Sequence, residues 1–215
     1  MKFIHYYFPQ IYEISINFLH GKNFRKRYRY IIRNIEENSN VLDIGCGTGI
    51  LGKFLCKKCN YVVIDLNKKF LNFASKRGLK VFNCNAFNFK KYSKNVDTIV
   101  ICDVLHHIYP RHKLFLEKIK NYADKIIICE PFYKTQTYES RKESLSFLEK
   151  IKTFLVIIFD SDGYNALRLR FNKRWWYNKK ELKLFFKESL KNRKNLFLKE
   201  IGRDIIAIYN FKTKN

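Results

Sequence analysis

The residue types best suited to chemistry fall at positions 43–66, at 102–108 and at 130. Val41-Leu42-Asp43-Ile44 is a short apolar run with an acid inside it, and it opens into Gly45-Cys46-Gly47-Thr48-Gly49. Three alternate glycines leave a loop nearly bare of side chains, so a ligand can lie directly against the backbone. The run satisfies two patterns at once. Gly47 through Gly52 reads as the dinucleotide motif G-x-G-x-x-G, whereas Asp43 through Gly49 reads as D-x-G-x-G-x-G. Asp65, twenty residues after Gly45, ends the next apolar run. An acid there can take both hydroxyls of an adenosine ribose under either pattern. Asp43 separates the two, because a carboxylate beside the loop suits ammonium and sulfonium groups and repels a pyrophosphate.

Cys102-Asp103-Val104-Leu105-His106-His107-Ile108 and Glu130-Pro131-Phe132 carry the groups able to move a proton. Imidazole titrates near neutrality, so His106 or His107 can act as a base, with Glu130 as a second candidate. Sequence does not distinguish the two histidines. The competing reading is that the pair only shapes a pocket and that Glu130 binds local backbone amides. Six cysteines are present, at 46, 56, 59, 84, 102 and 129. Cys56-Lys57-Lys58-Cys59 is a lone CxxC with no second pair to complete a zinc site, so no metal is expected and the thiols read as reduced.

The elements that must position these groups alternate from residue 41 onward. Strand-like runs are Val41–Ile44, Tyr61–Asp65, Lys80–Cys84, Val96–Cys102 and Lys125–Cys129, with helical runs near 49–58, 67–77 and 111–122. Runs apolar almost throughout belong to a parallel sheet covered on both faces. The fold class expected is therefore α/β, a doubly wound Rossmann-like sheet with helices on both sides. A helix at 178–190 follows, then strands Leu196–Ile201 and Arg203–Phe211, whose short turn at Gly202 demands an antiparallel hairpin. Ligands of such sheets bind beyond the strand carboxyl ends, where the loop, Asp65, Asn85-Ala86-Phe87, Asp103 and Glu130 all fall. Residues 10–37 read as two helices broken near His20-Gly21. The second sets Lys22, Arg25, Lys26, Arg27, Arg29 and Arg33 on a solvated basic face around Phe24, Tyr28, Ile31, Ile32 and Ile35.

On these residues the chain resembles the class I S-adenosylmethionine-dependent methyltransferases, in the group labelled methyltransferase type 11 or 12. The likeness covers roughly 38–131 and, more weakly, the final helix and hairpin. It implies a single domain with a seven-stranded sheet, mostly parallel and closed by a reversed last strand. The parts would be an N-terminal helical cap (1–37), a cofactor-binding core (38–131), an insertion or lid (132–178) and a C-terminal helix and hairpin (179–215). It implies S-adenosylmethionine as cofactor. Asp43 and the backbone of Gly45, Cys46, Gly47 and Gly49 would hold its amino-acid end, and Asp65 its ribose. Leu66 would pack on the adenine. Asn85, with Ala86, stands where the family commonly has an acid for the adenine amino group, and an Asn carbonyl oxygen can accept the same bond. Cys102 and Asp103 would line the methionine side, and Gly52 becomes a packing glycine. Asn121-Tyr122-Ala123-Asp124 replaces the family's Lys-Pro-Gly-Gly-like turn. In-line methyl transfer draws on positioning, so a dedicated base is optional.

The acceptor is the open question. The chain holds 43 basic and 19 acidic residues, a net charge of +24. Attraction to RNA or to an anionic membrane surface is one reading, and the Lys- and Asn-rich coding of an AT-rich genome is the other. No apolar run approaches the ~20 residues of a membrane span, and residues 1–9 lack a signal-peptide core. A cytoplasmic protein is expected, with peripheral membrane association as the alternative; oligomeric state is not readable. From Arg168 through Lys199 there are twelve basic residues against two acidic ones, and Arg168–Tyr177 carries Trp175-Trp176. The Asn/Asp-Pro-Pro-Tyr signature of base-amine methylation and a Pro-Cys nucleophile are missing after strand four. The Asp-Val-Leu-His-His-Ile form points to a small-molecule or lipid-like acceptor, with tRNA or rRNA as runner-up and a non-catalytic cofactor-binding module as a third reading.

Overall fold

A computed structural model describes residues 8–55, 59–92, 95–132, 178–189 and 195–211. The expected lid at 132–178, with its Arg168–Tyr177 segment, lies outside the described residues apart from Phe132 and Asn178. Seven strands are described: β1 (Asn40–Ile44), β2 (Asn60–Asp65), β3 (Lys80–Asn83), β4 (Val96–Cys102), β5 (Ala123–Pro131), β6 (Leu196–Ile201) and β7 (Asp204–Asn210). They form one sheet in the order β3-β2-β1-β4-β5-β7-β6. β1 through β5 pair in parallel, and β7 runs antiparallel to both β5 and β6. Ile99, Val100 and Ile101 of β4 and Ile126, Ile127 and Ile128 of β5 are all fully buried. An apolar run without polar alternation requires cover on both sides, and the helices provide it.

The described α-helices are α1 (Pro9–His20), α2 (Phe24–Arg33), α3 (Lys68–Ser75), α4 (His112–Ile119) and α5 (Lys179–Ser189). On one sheet face Ile16 of α1, Phe24, Tyr28 and Ile31 of α2 and Leu71 of α3 pack over Val41, Val63, Val100 and Ile127. On the other, Phe115, Leu116 and Ile119 of α4 join Leu182, Phe185 and Phe186 of α5 over Leu42, Ile44, Ile99 and Ile126. Two of these helices begin for a readable local reason. Pro9 occupies the first turn of α1, where its missing N–H costs nothing. The Asn67 side chain accepts from the Lys69 and Phe70 amides at the start of α3, at 3.0 and 3.4 Å.

Two expectations need correction. In place of the helix expected over 49–58, the described residues 49–55 form a run of turns with one 3₁₀ turn at Leu51–Lys53. Gly49 sits at φ 74°, outside helical space, and Gly52 follows three residues later, so a helical nucleus has too little to build on. The second concerns Arg27, expected on the solvated face of α2. It is fully buried, whereas Lys22, Arg25, Lys26, Arg29 and Arg33 are exposed. Spacing explains it: Arg27 recurs with Phe24, Tyr28 and Ile31 at three and four residues and therefore shares their inward stripe. β5 also begins at Ala123, so half of the substituted turn before it is already strand. No helix among the described residues is long and apolar enough to cross a membrane.

Ile127 touches the core of the α2 face and has no exposed surface. Truncation of Ile127→Ala is expected to cost about 2–5 kcal/mol, measured as a shift in the urea midpoint at unchanged slope.

Candidate active site

The carboxyl ends of the parallel strands border a cleft of about 930 Å³. Its floor is the glycine loop after β1. Gly45 takes φ 72°, and a Cβ there would lie 2.5 Å from the Val104 side chain, so the loop and the β4 exit meet too closely for any side chain. The amides of Gly45 and Cys46 both donate to the Ile64 carbonyl, at 2.8 and 3.2 Å. Gly47, at φ 56°, donates its N–H to Asp65 Oδ2 at 2.8 Å, and Asp65 Oδ1 accepts the Asn67 N–H at 2.7 Å. One carboxylate thus joins the loop, the end of β2 and the start of α3. Burial raises the Asp65 carboxyl pKa, opposed by the amides of Asn67 and Gly47.

α1 forms a wall above this floor. The Tyr12 ring lies 3.6 Å from where a Cβ on Gly47 would stand and packs on Phe70 at 4.8 Å between centroids. Next to it, Glu13 accepts the Thr48 hydroxyl at 2.8 Å, the Lys53 ammonium at 2.5 Å and the Arg77 guanidinium. Asp43 faces the other way. Its carboxylate accepts the Tyr61 hydroxyl at 2.5 Å behind the loop, is 3% exposed, and does not line the cleft. Burial lifts the Asp43 pKa to about 7, with the Tyr61 hydrogen bond opposing the rise.

The β4 exit is fixed by two ion-pair networks. Asp103 stands at φ 57°, a left-handed conformation that a non-glycine residue takes only when its surroundings impose it. Arg27 supplies that restraint with a two-point pair, Nη1 to Oδ1 at 3.1 Å and Nη2 to Oδ2 at 2.5 Å, and also donates to Tyr28 Oη at 2.9 Å. Asp204, at the start of β7, has Oδ1 3.6 Å from Arg27 and Oδ2 3.1 Å from His20 Nδ1. Among the described residues, His20, Asp103 and Asp204 bring ligand-type atoms within 4.8 Å of one another, and the Arg27 guanidinium supplies positive charge there. Burial alone would raise the Asp103 carboxyl, but Arg27 and His20 hold it well below the usual carboxylate range. In the second network Glu130 is fully buried and accepts the Val104 and Leu105 amides, each at 2.7 Å, and pairs with His106 Nδ1 at 2.7 Å. His107, whose ring centroid lies 4.0 Å from that of His106, is exposed and lines the cleft.

Residues 42–124 match the family described as "Methyltransferase domain". Over these residues the chain carries a methyltransferase domain, in the fold of the class I S-adenosylmethionine-dependent enzymes. By sequence it is 27% identical over 228 residues to the ribosomal RNA small subunit methyltransferase A of Mesomycoplasma hyopneumoniae, covering 89% of this chain and 85% of that protein. Two solved structures share the fold. The SAM-dependent methyltransferase of Aquifex aeolicus superposes with a TM-score of 0.54 at 17% identity, over 94% of this chain and 97% of that one. The plantazolicin methyltransferase BpumL in complex with SAH gives 0.56 at 17%, over 92% and 85%.

In this methyltransferase the cleft brings together Gly45, Gly47, Asp65, Leu66, Asn85, Ala86, Cys102, Asp103 and His107. Asp43, Cys46, Gly49, His106 and Glu130 support the rim from behind and do not line it. Asn85 Oδ1 already accepts the Phe87 amide at 2.8 Å, leaving its second lone pair for a further partner. Sequence reasoning overlooked Tyr12, His20, Arg27, Arg111 and Arg203. All but Arg27 line the cleft, with Arg111 3.8 Å from the centre of the Phe87 ring. A signal existed only for Arg27, through its inward helical spacing. Tyr12, His20 and Arg203 come from segments distant in sequence from any motif, and Arg111 falls three residues past the 102–108 run.

Replacing Arg27→Met strands two carboxylates in the interior and should cost about 3–5 kcal/mol at pH 7. The loss should shrink in the double variant Arg27→Met/Asp103→Asn, and both are read by urea unfolding. Because Asp103 is depressed, its stabilising pair is complete above the usual carboxylate range and fades as pH falls below it. Asp43 behaves oppositely. With its pKa raised to about 7, the folded state holds a proton that the unfolded chain has lost, so stability declines as pH climbs from about 4 to about 7. In Asp43→Asn that part of the slope should vanish from a plot of Tm against pH.

Proposed function

We propose that the cleft seats S-adenosylmethionine along the strand ends and passes its methyl group to a small-molecule or lipid-like acceptor. When bound, the cofactor supplies an electrophilic methyl on a sulfonium. The cleft suits it by size, since ligand pockets run to roughly 300–1,000 Å³, and by the bare backbone at Gly47. In this reading the backbone of Gly45, Cys46, Gly47 and Gly49 holds the amino-acid end, with the buried acid Asp43, bonded to Tyr61, backing the loop. Asp65 holds the ribose, exchanging its bond to the Gly47 amide for the hydroxyls. Leu66, 66% exposed, offers an apolar surface to the adenine beside Asn85 and Ala86. Cys102 and Asp103 flank the methionine side, with Arg27 fixing the angle of Asp103.

The observation that carries the acceptor side is the division between the two histidines. Glu130 holds His106 and the amides of Val104 and Leu105, so both residues position the loop. His107 faces the cleft and is the group able to orient an acceptor lone pair in line with the methyl, or to take its proton. Tyr109 and Arg111 continue the same wall and offer an organic acceptor an aromatic face and a cation.

A second reading, RNA as acceptor, has one observation in its favour beyond charge: the 27% identity to a ribosomal RNA methyltransferase across 89% of the chain. Calorimetric titration should show S-adenosylmethionine binding that Gly47→Val or Asp65→Ala weakens by roughly tenfold or more. A wild type that does not bind ends the proposal. His107→Ala should lower turnover about a hundredfold at unchanged cofactor affinity, whereas His106→Ala should act mainly on Tm. Labelled methyl transfer into cell extract, split into RNA, lipid and small-metabolite fractions, names the acceptor class. Label confined to RNase-sensitive material would replace the first reading with the second.

A further inference from the structure

α1 has a second side. Tyr12, Ile16 and His20 face the cleft, but the opposite side of the helix exposes Ile14 at 69% and Ile11 at 42%, with Phe8 at the N-cap 49% exposed. Ile11, Ile14 and Phe18, itself 42% exposed, recur at three and four residues and so lie on one stripe. No Lys or Arg occurs in Pro9–His20, and the helix's one acid, Glu13, is turned toward Thr48, Lys53 and Arg77. α2 and the turn before it are the reverse: Lys22, Arg25, Lys26, Arg29 and Arg33 are exposed. Both helices pack on the same face of the sheet, through Ile16 and through Phe24, Tyr28 and Ile31. Their outer sides therefore look away from the sheet together.

An apolar stripe beside a row of cations is what an interfacial helix needs. Its apolar groups enter the boundary between headgroups and acyl chains while the cations meet anionic lipid phosphates. A single-stranded RNA would use the cations and Phe18, but Ile14, the most exposed residue of the stripe, and Ile11 offer its bases no ring to stack on.

We propose that the α1–α2 pair docks this methyltransferase on an anionic bilayer surface, with Ile11 and Ile14 in the interface and Arg25, Lys26 and Arg29 on lipid headgroups. The docking holds whichever acceptor is methylated. Because α1 is itself a wall of the cleft, the mouth of the site then sits within about one helix diameter, ~10 Å, of the membrane.

The test is co-sedimentation of the full chain with phosphatidylcholine vesicles, with and without phosphatidylserine. Binding is expected only with phosphatidylserine and should weaken as salt rises. Ile14→Asp should reduce the partition on the order of tenfold, and each of Arg25→Gln, Lys26→Gln and Arg29→Gln on the order of fivefold. All four variants should keep wild-type S-adenosylmethionine affinity by calorimetry. Failure to bind vesicles, or vesicle binding untouched by Ile14→Asp, overturns the proposal. RNA binding without vesicle binding would reassign the cations to a polynucleotide. Self-association abolished by Ile14→Asp, again without vesicle binding, would reassign the stripe to a second copy of the chain.

Discussion

A guanidinium with no access to water must find compensating charge within the fold, and Arg27 finds it on two elements far apart in the chain. Asp103 closes the β4 exit and Asp204 opens β7, so the cation holds the N-terminal cap, the centre of the sheet and the C-terminal hairpin in one arrangement. The left-handed backbone of Asp103 depends on it, and so does the direction in which the following loop leaves the sheet. Neutral side chains of similar volume could fill the same space. They would not fix an angle, which a planar two-point pair does.

The rim as a whole is built from carboxylates buried in a strongly basic protein, and each is satisfied differently. Asp43 takes a hydroxyl, Asp65 two amides, Glu130 two amides and an imidazole, and Asp103 and Asp204 share a guanidinium. Backbone amides are fixed dipoles, so Asp65 and Glu130 act as staples that hold loop geometry. The charged pair at Asp103 is specific to its partner, and removing one member leaves the other charge unmet. The surplus positive charge lies elsewhere, on outward surfaces such as the exposed side of α2, where water solvates it cheaply.

The sheet and its ligand edge were legible because their signals are local: an apolar run, a glycine cluster, an acid at a strand end. Asp65 could be placed at a strand end from spacing alone, and the antiparallel β6–β7 hairpin from the short turn at Gly202. The distinction between His106 and His107 was not legible, because it depends on Glu130, 24 residues away in sequence and on a different strand. The 49–58 run looked helical from its apolar content, but the strained glycines that form the loop also deprive a helix of its start. Tyr12 and Arg203 gave no local signal. Arg27 did, and it was overlooked because a basic residue among other basic residues reads as surface unless its helical phase is counted.

The pair between His20 and Asp204 spans 184 residues. A ribosome synthesising this chain therefore releases the glycine loop and all five parallel strands well before the partner of the N-terminal cap exists. Until the closing hairpin emerges, Arg27 has only one of its two acids, and the wall that α1 forms lacks its anchor at His20. Domains whose ends must meet acquire their sites late and all at once. For this methyltransferase the consequence is temporal: a nascent chain can hold a nearly finished sheet without yet having a competent site, and it gains one only once Asp204 has been made.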